Sequence, residues 1–379
     1  MTRRRIIIIA LLALSGLLST QTFISTSVVA AEQLPRQLSD DTFWNLVTEF
    51  SEEGGSFPSN NFVSNELTFQ NVIPSLAKNT KAGGVYLGVG PDQNFTYIVA
   101  LRPRIAFIFD IRRQNMLQHL MYKALIEISS DRADFLSRLF SRERPADIDP
   151  ASSAQELFRA FDGVRQNSDL FLENVATIRK QLVEKHGFPL TPLDENGIRF
   201  ILSAFFSGPD LTYRGPASRQ NVGNRRMPSF EELMMETDDA GDARSYLASE
   251  ENFRILQDLE RNNLVVPLVG NFAGDKAIRR VGEYLKDHDA TVTAFYLSNV
   301  EQYLFDQGDD WSKFYHNVET LPLDSTSTFI RSWFNGLAPP FSRGLRGWSV
   351  SLLCPMQDLL SAFQSGDVKT YRDVIDMSN

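Results

Sequence analysis

Apolar positions along the chain fall into helical and strand-like rhythms, and the points where the rhythm changes outline the elements. Phe43, Trp44, Leu46, Val47 and Phe50 recur at helical spacing, and Gly54 and Gly55 stop that helix. Residues 57–66 read Phe-Pro-Ser-Asn-Asn-Phe-Val-Ser-Asn-Glu. Such amides and hydroxyls bond to nearby backbone and favour loops and caps. A second helix is expected from about Glu66 to Ala77, which places Asn60, Asn61, Asn65 and Glu66 just ahead of the first strand, where they could cap or fold over a ligand. Val85-Tyr-Leu is that strand, broken by Gly88-Val-Gly90-Pro-Asp92. Asn94 to Leu101 reads as a brief helix that ends before Pro103. Ile105 to Phe109 is continuously apolar, as expected of a strand covered on both faces. From Gln114, a stripe of Leu117, Leu120, Met121, Ala124, Leu125 and Ile128 predicts a helix.

The rhythm then changes. Between residues 141 and 248 there is little strand signal, and helices are expected at Ser153, over 168–186, over 194–207 and at Ser229. Two of these open on capping-box sequences, Ser153-Ala-Gln-Glu156 and Ser229-Phe-Glu-Glu232. Thr212 to Arg226 is rich in Gly, Arg, Asn and Pro and reads as irregular. A long segment with its own helices suits an insertion over a site. Alternation resumes with a helix over 250–262 and a strand over 264–269, in which Pro267 suggests an edge or irregularity. The turn Gly270–Asp275 leads to a helix over 276–285, with Asp275 a plausible N-cap. Residues 291–297 form a strong strand pattern, and Ser298-Asn-Val-Glu301 is a capping-box opening of the next helix. A helix over 311–317, strands over 327–333 and 348–353 and a helix over 356–363 complete the pattern. Strands alternating with helices imply an α/β fold with a mainly parallel, Rossmann-like sheet and a helical insertion at 141–248.

Composition adds an address. Arg3, Arg4 and Arg5 precede the apolar run Ile6–Leu18, and Val29-Ala30-Ala31 supplies small residues before Glu32. Residues 1–31 therefore read as a signal peptide, leaving 32–379 as one exported body, periplasmic or secreted, with no stable membrane span. The formal net charge is −9, and removing a segment with three arginines and no acidic residue makes the body more acidic still. Such a body repels phosphate backbones, so nucleic acid is not an expected partner. The single cysteine, Cys354, allows no intrachain disulfide and follows an apolar run, which favours a buried thiol over a nucleophile. The four histidines show no metal-ligand spacing, so no metal site is expected.

Three turns fall where strands end and helices begin: Gly88–Asn94, Gly270–Asp275 and Leu297–Glu301. In an open parallel sheet these ends share one rim, where ligands bind. Gly88 and Gly90 permit close backbone approach, and a carboxylate at Asp110 can accept hydrogen bonds from ribose hydroxyls. Each feature also has an ordinary use, in a turn or a helix cap.

Val85-Tyr-Leu-Gly-Val-Gly-Pro-Asp92 followed by Ile105–Asp110 resembles the first two motifs of class I S-adenosylmethionine-dependent methyltransferases. The resemblance implies a methyltransferase-type sheet, with Gly88 and Gly90 at the amino-acid end of the cofactor and Asp110 at its ribose. Tyr86 stands where that family usually has an acidic residue, and Asp92 stands at its third glycine position, where it could replace the missing carboxylate. Asn271, Ser298 and Asn299 are then expected near the methyl acceptor. The chain is also similar to a family of exported bacterial proteins that carry blocks such as 57–66, 86–102 and 295–304. Export separates the body from a cofactor made in the cytoplasm. The alternative expectation is therefore a non-catalytic protein that uses the same fold to hold a small polar ligand or a protein partner.

Overall fold

The computed structural model describes residues 33–146, 148–213, 215–216, 227–334 and 349–379. The signal-peptide reading, most of the irregular stretch 212–226 and Trp348 lie outside the described residues. Six strands form one sheet: β1 (Val85–Val89), β2 (Ile105–Asp110), β3 (Val265–Val269), β4 (Val292–Ser298), β5 (Leu323–Phe334) and β6 (Ser349–Pro355). Their order is β3-β2-β1-β4-β5-β6. The first five are parallel and β6 runs antiparallel to β5. This is a Rossmann-like α/β architecture, whose strand order reverses between β1 and β4.

β1, β2 and β3 are buried along their whole length, which is why they read as unbroken apolar runs. Alternation still assigns their faces. Tyr86 on β1 and Tyr296 on β4 meet Tyr97 of α3 (Gln93–Leu101), whereas Phe107 on β2 meets Tyr284 of α11 (Ala277–Asp287). Phe109 and Phe295 share the second face with Phe314 of α13 (Asp310–Val318). Pro267 needs no donor on the open side because β3 is an edge strand, paired to β2 alone.

Between β2 and β3 the chain builds α4 (Arg113–Ile128), α5 (Arg132–Phe140) and then four helices of the inserted region. These are α6 (Ala154–Ala160), α7 (Ser168–Arg179), α8 (Pro192–Phe205) and α9 (Phe230–Met235). α7 runs on into a π-helical segment, Lys180–Lys185. Capping boxes form at Ser153–Glu156 and Ser229–Glu232 as the local sequence predicts. α8 lies along α4, held by Arg113 to Asp194 at 2.7 Å. Then α10 (Glu250–Arg261) returns the chain to the sheet.

Three local expectations are corrected. The second helix starts late, with a 3-10 turn at Phe69–Val72 and α2 at Ile73–Asn79, because Thr68 adopts a left-handed φ of 66°. No capping box forms at Ser298, since the carboxylate of Glu301 is drawn to the Arg331 guanidinium and the Tyr315 hydroxyl. Asp275 does not cap α11; a carboxylate from elsewhere takes that place. The carboxy-terminal helix Tyr371–Asp376 was not anticipated. Among the described residues no helix is long and apolar enough to cross a membrane.

Candidate functional site

The carboxyl ends of β1, β2, β3 and β4 open onto a crevice of about 540 Å³. Parallel strands in register bring this about: Gly88 sits beside Ile108 and Asp110 beside Val269, so the turns that follow share one rim. Gly90, Asp110, Asn271, Ser298 and Asn299 all line the crevice. Gly88 and Asp92 do not. The three turns thus converge as expected, while two of the residues singled out there face elsewhere.

The glycine turn is knitted to itself. Asn94 of α3 donates from Nδ2 to the carbonyls of Val89 at 2.9 Å and Pro91 at 2.7 Å. A Cβ on Gly88 would lie 1.9 Å from Asn94 Oδ1, so the glycine here admits a side chain of the protein. Gly90 turns with φ +78° and its carbonyl accepts from His119 Nε2 at 2.8 Å. Burial lowers the His119 pKa to about 4, so the neutral ring supplies that donor. Asp92 points into the packing behind the turn and accepts the Tyr246 hydroxyl at 3.1 Å; burial pushes its pKa up to about 7.

At the end of β2, Asp110 is gripped by Arg112. Nε reaches Oδ1 at 2.9 Å, Nη2 reaches Oδ2 at 2.6 Å, and the Arg112 backbone N–H also donates to Oδ1. The remaining nitrogen, Nη1, donates to the carbonyls of Ser59 and Asn60. One guanidinium therefore ties the polar loop 57–66 over the rim. Phe57 lies beside the same guanidinium and packs edge-on to Tyr303. Phe57, Tyr303 and Tyr213 make an aromatic wall of the crevice, and Asn61, Asn65 and Glu66 of the polar loop also line it.

The turn after β3 is occupied too. Glu52, just beyond α1 (Asp40–Phe50), accepts from the backbone N–H of Asn271 at 2.8 Å and of Lys276 and Ala277 at 2.9 Å each. A carboxylate of the protein fills the anion position at the start of α11. Asn271 keeps its place on the crevice wall.

The floor is polar, with a buried carboxylate at its centre. Glu66 is fully buried, and its carboxylate accepts from Gln93 Nε2 at 2.8 Å and from the hydroxyls of Ser298, Ser332 and Tyr296. Burial raises its pKa above the usual carboxylate range, against the lowering from these donors. Ser298 holds a left-handed backbone at φ +51°. Sequence reasoning placed Glu66 near the rim but missed Arg112, Glu52, Gln93 and Ser332. Arg112 is in plain view two residues after Asp110; Ser332 and Glu52 carry no local signal. Among the described residues no group of three or more His, Cys, Asp or Glu could hold a metal.

Residues 61–156 and 218–346 match the model of a family described as Domain of unknown function (DUF7790). The match covers more than half the chain, which belongs to that family. It takes in β1 to β5 and leaves out α7 and α8. No curated protein matches the chain.

Proposed function

We propose that the rim crevice binds a small polar ligand of the nucleoside class, with S-adenosylmethionine as the first candidate. The observation that carries this reading is the convergence of Gly90, Asp110, Asn271, Ser298 and Asn299 on one cavity at the point where strand order reverses. The aromatic wall suits a planar or ring-shaped group. The amides and hydroxyls of the floor suit a hydroxylated one. Asp110 retains acceptor capacity on Oδ2 beyond its one side-chain partner there, enough for one ribose hydroxyl. If the ligand is S-adenosylmethionine, the domain is of the methyltransferase type, and the acceptor would lie toward Ser298 and Asn299. Methyl transfer relies chiefly on alignment of nucleophile and methyl group, which a preformed crevice supplies.

A second reading has its own observation. The glycine turn and Asp110, which a methyltransferase would turn to its cofactor, are both engaged by the protein's own Asn94, His119 and Arg112. This favours a non-catalytic exported protein that holds some other small polar ligand, or a protein partner, in the same place. An acidic body still argues against nucleic acid.

Thermal unfolding with S-adenosylmethionine, S-adenosylhomocysteine, adenosine and unrelated polar solutes separates the readings. A ligand at a hundredfold its Kd adds about 2.7 kcal/mol and raises Tm by several degrees. Asp110→Asn should remove the rise for a nucleoside. The absence of any rise at millimolar nucleoside would overturn the first reading. The export proposal is checked by the mass of the mature amino terminus, expected at Glu32.

A further inference from the structure

The floor of the crevice holds a hydroxyl and a carboxylate, Ser298 and Glu66, whose mutual geometry goes beyond what ligand binding needs. β4 ends at Ser298, and the chain turns there into α12 (Val300–Phe305). The turn places Ser298 in the left-handed region, at φ +51°, which is disfavoured for any residue with a Cβ. Backbone strain of this kind gathers at functional positions. The sharp strand-to-helix turn presents the hydroxyl at the top of the sheet, on the crevice wall, where Oγ donates to Glu66 Oε1. Glu66 is itself held. Its Oε2 accepts from Gln93 Nε2 at 2.8 Å and from the Ser332 hydroxyl. Gln93 opens α3 and Ser332 lies within β5, so both supports stand on rigid elements.

A hydroxyl in hydrogen-bond reach of a base, with the base oriented by a third group, is the arrangement of an activated nucleophile. The strand, strained turn and helix give it the exposure that a nucleophile needs. We propose that Ser298 is a nucleophile with Glu66 as its general base, and that the crevice cleaves carboxylic esters of small polar alcohols. Ser298 Oγ bonds to the acyl carbon and its proton passes to Glu66. As the ester C–O bond breaks, Glu66 returns that proton to the departing alcohol oxygen. Water then adds to the acyl-serine by the same route, releasing the carboxylic acid and restoring Ser298. The amides of Asn65 and Asn299 line the same cavity and can donate to the oxyanion. Burial favours this role for Glu66, since a carboxylate with a raised pKa is the stronger base. The proposal uses the cavity but requires neither S-adenosylmethionine nor any nucleoside.

The test is covalent. The full chain is treated with a fluorophosphonate, which bonds to a nucleophilic serine with loss of fluoride, and is read by intact mass and peptide mapping. One adduct is expected, on Ser298. Ser298→Gly relieves the left-handed backbone, so it should fold and take no adduct. Glu66→Gln should slow labelling by about a hundredfold. The wild-type labelling rate should climb with pH and level off once Glu66 is ionised. A folded chain without an adduct, an adduct that persists in Ser298→Gly, or a climb with no plateau would each overturn the pair. Labelling without a nucleoside thermal shift would remove the ligand reading alone; the reverse result would remove only the nucleophile.

Discussion

Arg112 closes on Asp110 as a fork, with both carboxylate oxygens engaged, and its last nitrogen reaches the carbonyls of Ser59 and Asn60. The pair is nearly excluded from water, with side-chain exposures of 7% and 8%. It is therefore both a buried ion pair and the clasp of the polar loop. Arg112→Ala should cost about 3 kcal/mol in urea unfolding, since it leaves a buried carboxylate unpaired. Arg112→Lys should recover only part of this, because an ammonium cannot fork across two oxygens. Proteolysis within residues 57–66 should quicken in both variants. Unchanged stability in Arg112→Ala would show that the ion pair contributes nothing.

Gly88 can be separated from ligand binding. An added Cβ would meet Asn94 Oδ1 at 1.9 Å and Tyr86 Cε1 at 2.8 Å. Gly88→Ala should displace Asn94 from the carbonyls it bridges and destabilise the fold by about 2 kcal/mol. If the variant unfolds like the wild type but loses ligand, the glycine serves the ligand instead of Asn94.

Glu52 predicts a local effect. It receives three backbone N–H groups at the start of α11. Glu52→Gln keeps the shape but removes the charge that complements the helix end. A loss of about 1 kcal/mol is expected. Faster amide exchange should be confined to Asn271, Lys276 and Ala277. Uniformly faster exchange would mean that Glu52 acts on the whole fold and not on this turn.

Asp92 gives stability a pH dependence. Burial raises its pKa from the ordinary 3.8 to about 7 in the folded chain. Between those values the unfolded chain has released the proton while the folded chain still holds it. The contribution is therefore fully present below about pH 4 and is lost as pH rises toward 7. Glu236, raised to about 7, and Glu260, raised to about 8, act with the same sign. Asp92→Asn still accepts the Tyr246 hydroxyl and does not ionise. Its unfolding free energy, measured in urea, should exceed that of the wild type at pH 8 by on the order of 4 kcal/mol, and the gap should close at pH 4. An equal gap at both pH values would rule out the ionisation of Asp92 as the cause.

How much of this was legible beforehand depends on the range of each interaction. The strands of the parallel sheet could be read because burial on both faces demands a continuous apolar run, as at Ile105–Phe109. The boxes at Ser153 and Ser229 could be read because both partners lie within four residues. The box at Ser298 carried the same letters and failed, since Arg331 outbids the helix amides for Glu301. Glu66 was expected at the start of a helix and instead enters the crevice, bonded to Ser298 and Ser332 from strands far along the chain. The rim could be foreseen from strand and turn order. Arg112 and Asn94 bond to groups within five residues, at Asp110 and the glycine turn, so their part in the rim had a local signal; that of Glu52 had none, because nothing in its own neighbourhood says which distant backbone it will meet.

The place of the inserted helices also bears on how the molecule is made. Ala106 must wait for Val265 before β2 gains its outer neighbour. At a synthesis rate of ~5–20 residues per second that wait is on the order of ten seconds. Throughout it, one of the most apolar ladders in the chain has an open edge, while α4 to α9 can close on local contacts. Chains truncated before residue 265 should accordingly aggregate; extension through residue 269 covers the edge of β2 but leaves that of β1 bare, so solubility should return only once β4 is included.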